Sequence, residues 1–366
     1  MRFAGSFLLV TSMSAIATFS AAHADPVVDP SKPISWSAKQ GAEGMIVAVS
    51  PARQSLSIVG TTGALIGSGV DAVANDKHRK AIRGMLEGYD AGKVFEEKLA
   101  ARLGVAFGAS LSRVSPMGSA AGFSNPNEAD KARFQAIAGE GSETLLDLRL
   151  TYGIFGVEGI LVAKIEADLY GLPKGRRLWD DALVVSTEPI LGANKLQDPT
   201  KRLAPNFSSP RLTADDDAIG KWTEDNGVTL RARYETAVDG AVSALLCAMG
   251  LAEEPTGEYY LGKLALNRKE FDDAATHFKK STALDPANID ALNGLAVTMG
   301  HNDQSGEALT LLEPLTKSHP EYGAAWHNIA WIRAVKSDDA AGAKEPYRKA
   351  LELGMPEDKK IEKALE

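Results

Sequence analysis

The sequence predicts two parts in series: an α+β N-terminal domain, an antiparallel meander with helices, followed by an all-α repeat solenoid. Three observations lead there. From about Pro255 onward, apolar and small residues recur with a period of 34. Between Thr144 and Thr187, apolar and polar residues alternate at the period of a strand. The 366 residues are 44% hydrophobic and 24% charged, which suits about two domains with proper cores rather than a disordered chain.

The repeat is legible at several independent positions. Leu261, Leu295 and Ile329 are 34 apart, and each is followed by a small residue: Gly262, Ala296 and Ala330. Ala274 and Ala308, Phe278 and Leu312, and Pro286 and Pro320 keep the same spacing. The third unit gains one residue near Asp338-Asp339, so its later positions fall at Ala343, Tyr347, Ala350 and Leu353. Each unit reads as two antiparallel helices. Small residues sit where the two helices approach, and Leu261, Phe278 and Leu312 fill the space between. Leu284-Asp285-Pro286 and His319-Pro320 end the second helices, because proline cannot continue them.

This pattern resembles the tetratricopeptide repeat (TPR) family, whose period is its signature. The resemblance implies three units over residues 255–356 and a polar capping helix over 357–366. The long helix before Glu253 is placed to cover the first unit. In that family the first helix of each unit lines a concave groove that receives a partner peptide or helix. Carried onto this chain, the groove comprises Tyr259, Lys263 and Asn267, then Asp290, Asn293 and Val297, then His327 and Trp331. It is a surface of aromatic and amide groups with few charges. Trp331 has an alternative place, packed against the capping helix.

The residues before it read as an α+β domain over 44–250, preceded by an extension over 25–43. Gly44 to Val49 is a short apolar run that reads as a buried strand. Asp76 to Tyr89 is a basic amphipathic helix, with His78 on its exposed side. Asp90 caps a helix from Ala91 to Leu103, and Val105 to Val114 reads as a strand. Asn127 caps a short helix carrying Phe134 and Ile137. Thr144–Phe155, Ile160–Tyr170 and Leu178–Thr187 form the meander, with Leu172-Pro173-Lys174-Gly175 as one turn. Arg231 to Met249 is a long closing helix. The strand pair around Val162–Tyr170 and Arg177-Leu178-Trp179-Asp180-Asp181 resembles envelope domains of the CsgG-like and TolB N-terminal-like groups. Those groups are mostly lipid-anchored; the single cysteine here, Cys247, lies in an apolar helical stretch, where a buried core role is expected.

The first 24 residues have the order of a cleaved secretory signal peptide: Arg2, an apolar run from Phe7 to Ala17, and Ala22-His23-Ala24 before Asp25. The expected location is the periplasm of a bacterium, without a lipid anchor. A net charge of −8 argues against a nucleic-acid partner. No catalytic, metal or cofactor motif occurs: there is no His-Glu-x-x-His, no cysteine pair and no Gly-x-Ser-x-Gly. The expectation is therefore a non-enzymatic scaffold, binding protein partners in a cell-envelope assembly or export complex. One alternative is a cell-wall-acting hydrolase using Glu166, Asp168 and Asp215-Asp216-Asp217. Another is a membrane-associated pore-type protein, contacting lipid through Gly60–Gly69; Asp71 close by disfavours deep insertion. The sequence sets no oligomeric state.

Overall fold

The computed structural model describes residues 26–40, 45–48, 77–116, 128–156, 159–192 and 214–366. Residues 1–24, Gly60–Gly69, Asn127 and the side chains of Asp215-Asp216-Asp217 lie outside what is described, and the expectations placed on them with it.

Six described strands make one mixed sheet: β1 (Ile34–Gln40), β2 (Ile46–Ala48), β3 (Leu111–Arg113), β4 (Thr144–Phe155), β5 (Ile160–Gly171) and β6 (Arg176–Ser186). Their order is β3-β1-β4-β5-β6, with β2 beside the far end of β4. The meander expected from the alternation is β4-β5-β6, paired antiparallel throughout. The strand beside it is parallel and comes from the stretch read as an extension. Ile34, Trp36 and Ala38 of β1 enter the core, while Ser35 and Ser37 alternate with them. The expected strand at 44–49 is observed as β2, in register with Gly153–Phe155.

Among the described residues five α-helices accompany the sheet: α1 (77–85), α2 (Ala91–Phe107), α3 (Glu128–Gly139), α4 (Ala214–Thr223) and α5 (Val228–Ala248). α2 and α5 cover one face. Leu146, Leu148 and Leu150 of β4 share a core with Phe95 and Leu99 of α2 and with Tyr234, Val238 and Leu245 of α5. Asp90 caps α2, its carboxylate accepting from the Lys93 amide at 3.0 Å. α2 overruns its expected end. Leu99, Leu103 and Phe107 keep a four-residue spacing and are buried, while Val105 is 86% exposed. Gly108, at φ 54, ends the helix, and the expected strand shrinks to β3. His78 is a second correction: it is buried, because it lies one turn before Ile82 on the inward side of α1.

Seven helices follow: α6 (Pro255–Arg268), α7 (Phe271–Leu284), α8 (Ile289–His301), α9 (Ser305–Ser318), α10 (Gly323–Trp331), α11 (Ala340–Glu352) and α12 (Lys359–Leu365). α7 and α9 stop just short of Pro286 and Pro320. The extra residue of the third unit is absorbed by a π-helical turn, Ile332–Lys336, that continues α10. α12 ends the stack with Ile361 fully buried, and Asp358 caps it through the amides of Lys360 and Ile361.

The two parts are joined through α5. Gly240 of α5 faces the Tyr260 ring, Gly257 of α6 faces Ser243 and Cys247, and Leu261 belongs to the sheet's core. Cys247 is half-buried there, and burial pushes its thiol up to about 12, which leaves it unreactive at neutral pH. Within the array, Phe278 of α7 is fully buried. It is flanked by Gly262 of its own unit and Gly294 of the next; a Cβ on Gly262 would come within 2.8 Å of the ring. We predict that Phe278→Ala destabilises the chain by about 3–5 kcal/mol in urea unfolding. A loss under about 1 kcal/mol would show that this ring is not the packing centre of the stack.

Candidate protein-binding groove

The first helices of the three units, α6, α8 and α10, line the inner side of the array. Their inward residues meet a segment of the same chain. Beyond β6 the backbone leaves the sheet at Ser186 and runs as Thr187-Glu188-Pro189-Ile190-Leu191-Gly192, without helix or strand, across all three of these helices.

Most of the polar contacts are to the segment's backbone. Asn293 of α8 and Asn328 of α10 both donate a carboxamide N–H to the Ile190 carbonyl, at 3.0 and 2.9 Å. Asn328 also donates to the side-chain oxygen of Asn293 at 2.8 Å, and its own oxygen accepts from the Gly192 amide at 2.8 Å. Both asparagines are fully buried. Lys263 of α6 is buried as well, and its ammonium donates to the Ser186 carbonyl at 3.1 Å, the Ser186 hydroxyl at 3.2 Å and the Glu188 carbonyl. A buried ammonium needs such acceptors, and charge-assisted bonds are stronger than neutral ones.

Side-chain selection occurs at the segment's apolar end. Ile190 is buried in a cluster with Leu266, Phe278 and Val297. Leu191 is buried beside it. Gly192 lies against the Trp331 ring so closely that any Cβ there would strike it. Trp331 is flanked on another side by Gly300, where a Cβ would come within 2.7 Å, and by the His301 ring at 4.9 Å between centroids. It also shares a cluster with Ile361 of the capping helix.

The remaining residues expected at the groove are placed as follows. Tyr259 packs edge-on against Tyr260, with centroids 4.8 Å apart. Asp290 is exposed and accepts a hydrogen bond from the Tyr322 hydroxyl at 2.6 Å, tying α8 to the start of the third unit. Asn267 is half-buried near the end of α6 and makes no side-chain hydrogen bond to the segment. His327 is fully buried and meets the Tyr347 ring edge-on, with centroids 6.3 Å apart. Reading the period of 34 from Asn293 arrives at His327; the residue that reaches the segment is its neighbour Asn328. Sequence reasoning missed Asn328 and the segment itself. The available signal was Pro189-Ile190-Leu191-Gly192, an apolar tetrapeptide just past the last strand.

Of the carboxylates proposed for a hydrolase, Glu166 and Asp168 of β5 are on the sheet face opposite α2 and α5. Glu166 pairs with Arg149 at 3.3 Å and Lys164 at 3.1 Å, and Asp168 with Arg177 at 3.4 Å. Burial raises the pKa of Asp168, against the pull of Arg177. Among the described residues no group of three or more His, Cys, Asp or Glu is arranged to hold a metal ion, and no helix is long and apolar enough to cross a membrane.

The architecture is that of an α+β domain fused to a helical-repeat array. A family model described as "Tetratricopeptide repeat" matches residues 265–331, from α6 to the end of α10. No curated protein and no solved structure matches the chain. TPR units are typically non-catalytic modules for protein–protein interaction, and the chain carries such units.

Burial of His327 holds its pKa below the ordinary histidine value of about 6.5, against the nearby Asp358 carboxylate, which acts the other way. The neutral ring is the one the fold accommodates. The stability it permits is therefore complete above about pH 6.5 and is lost as pH falls from there through the lower folded-state pKa. We expect the melting temperature to drop between pH 7.5 and 5, and His327→Leu to reduce that drop. An unchanged pH dependence in the variant would assign the acid sensitivity to other groups.

Proposed function

We propose that this chain is an exported periplasmic adaptor. Its α+β domain docks on a cell-envelope assembly or export complex, and its repeat array holds a second protein. The single observation that carries the binding role is the pair of buried carboxamides, Asn293 and Asn328, converging on one backbone carbonyl of a segment that is neither helix nor strand. A surface that reads backbone amides and carbonyls is a receptor for peptide in extended form, since those groups are common to every chain. The export role is supported by the signal-like order of the first 24 residues. The envelope setting is supported by the resemblance of the β5–β6 hairpin to CsgG-like and TolB N-terminal-like domains.

The test is in a Gram-negative host. After osmotic shock, the tagged protein is expected in the soluble periplasmic fraction, shortened by its first 24 residues. Cross-linking before lysis is expected to capture a discrete protein. Full-length protein in the cytoplasm would contradict export. Retention on membranes after a high-salt wash would contradict the soluble adaptor. Cross-links no richer than those of an unrelated periplasmic protein would contradict the adaptor role.

A further inference from the structure

The groove is already filled by its own chain, and the way it is filled describes what else can enter. We propose that Thr187–Gly192 is a displaceable occupant. A partner would take its place by presenting an extended segment of the same chemistry: two consecutive aliphatic residues followed by glycine. This rests on the adaptor reading and specifies its ligand.

The argument begins with what the segment does not do. It carries no helix or strand of its own. At Thr187 it is tied to the sheet through Leu161: the Thr187 amide donates to the Leu161 carbonyl at 3.1 Å, and the Thr187 hydroxyl accepts from the Leu161 amide at 3.3 Å. Beyond Thr187, Glu188 to Gly192 is held by the groove, so its release leaves the β4-β5-β6 ladder intact. Proline at 189 favours extended backbone in the residue before it, so a peptide with this sequence is partly set for binding before it arrives.

What the groove recognises is equally informative. Asn293, Asn328 and Lys263 engage backbone carbonyls and an amide, plus one hydroxyl at Ser186. Apart from that hydroxyl, those contacts are available from any chain. Discrimination is left to three positions: Ile190 in its apolar cluster, the buried Leu191, and Gly192 beneath the Trp331 ring. The ring accepts no Cβ at the last position, so glycine is required there by steric exclusion. An approach route exists beside the occupant. A cleft of about 400 Å³ is lined by Glu188 and Pro189 together with Tyr259, Tyr260 and Arg233. An incoming chain can settle there before it exchanges with the resident segment.

The experiment titrates a fluorescent peptide, Ser-Thr-Glu-Pro-Ile-Leu-Gly, against the purified full chain. It compares wild type with Gly192→Val, which drives the resident segment off Trp331, and with Ile190→Ser, which empties the apolar site without adding bulk. Occupancy in cis weakens apparent affinity by the fraction of molecules that are open. Both variants are therefore expected to bind the peptide with a Kd about tenfold or more below that of wild type. A peptide ending in valine instead of glycine is expected to bind none of them. Equal affinity for wild type and variants would place the peptide elsewhere and overturn the proposal. So would absent binding to variants whose helical circular dichroism is intact. Loss of that helical signal in both variants would make the segment an indispensable strut, which also overturns it. The purified titration needs neither export nor a cellular partner. Its failure therefore leaves any cross-linked partner standing, docked on another face.

Discussion

Two buried carboxamides sharing one carbonyl oxygen hold the structure's parts in relation. Asn293 and Asn328 come from different repeat units, and their common acceptor, the Ile190 carbonyl, follows the last strand of the sheet. Each asparagine satisfies the other as well as the segment. Fully buried polar groups of this kind are costly if unpaired, about 1–3 kcal/mol each. Removing the segment without replacing it would therefore break the bonds that Asn293 and Asn328 make to the Ile190 carbonyl and the Gly192 amide, and would take the Glu188 carbonyl from Lys263. The groove demands an occupant, and that demand is satisfied in cis by Ile190 and Gly192.

The rest of the array is shaped to present this clamp. Small residues at Gly262, Gly294 and Gly300 let the helices close on Phe278 and Trp331. That closeness brings α6, α8 and α10 near enough to contact one segment, Ser186–Gly192. α5 serves both parts at once, covering the sheet with Tyr234, Val238 and Leu245 and meeting α6 through Gly240. The sheet and the array thus share a helix and a segment, which makes the position of one informative about the other.

What could be read in the sequence was what local periodicity encodes. The period of 34 carried the helix boundaries of α7 and α9, because Pro286 and Pro320 act on their own neighbours. Alternation carried β4, β5 and β6, because each strand buries one face. β1 had the same signal in Ile34, Ser35, Trp36, Ser37 and Ala38, but it is short, and its parallel partner β4 begins more than a hundred residues later. α2 was cut early because Val105 and its neighbours resemble a strand when the spacing of Leu99, Leu103 and Phe107 is not followed. The groove was legible as a position, and its filling was not. Ile190 and Asn328 are 138 residues apart, and nothing local in either stretch announces the other. The shift from His327 to Asn328 is one residue, about 100° around a helix, finer than a repeat period resolves.

The most direct measurement of this account is hydrogen exchange across Thr187–Gly192 in the unliganded full chain. The Gly192 amide donates to a fully buried side chain. Its exchange is therefore expected to be slowed at least about a hundredfold relative to a free peptide, because it requires the clamp to open. Asn328→Ala is expected to abolish that protection while leaving the amides of α7 and α9 protected. Free-peptide exchange at Gly192 in the wild type would show an open groove, and would contradict the central claim that the array holds its own chain.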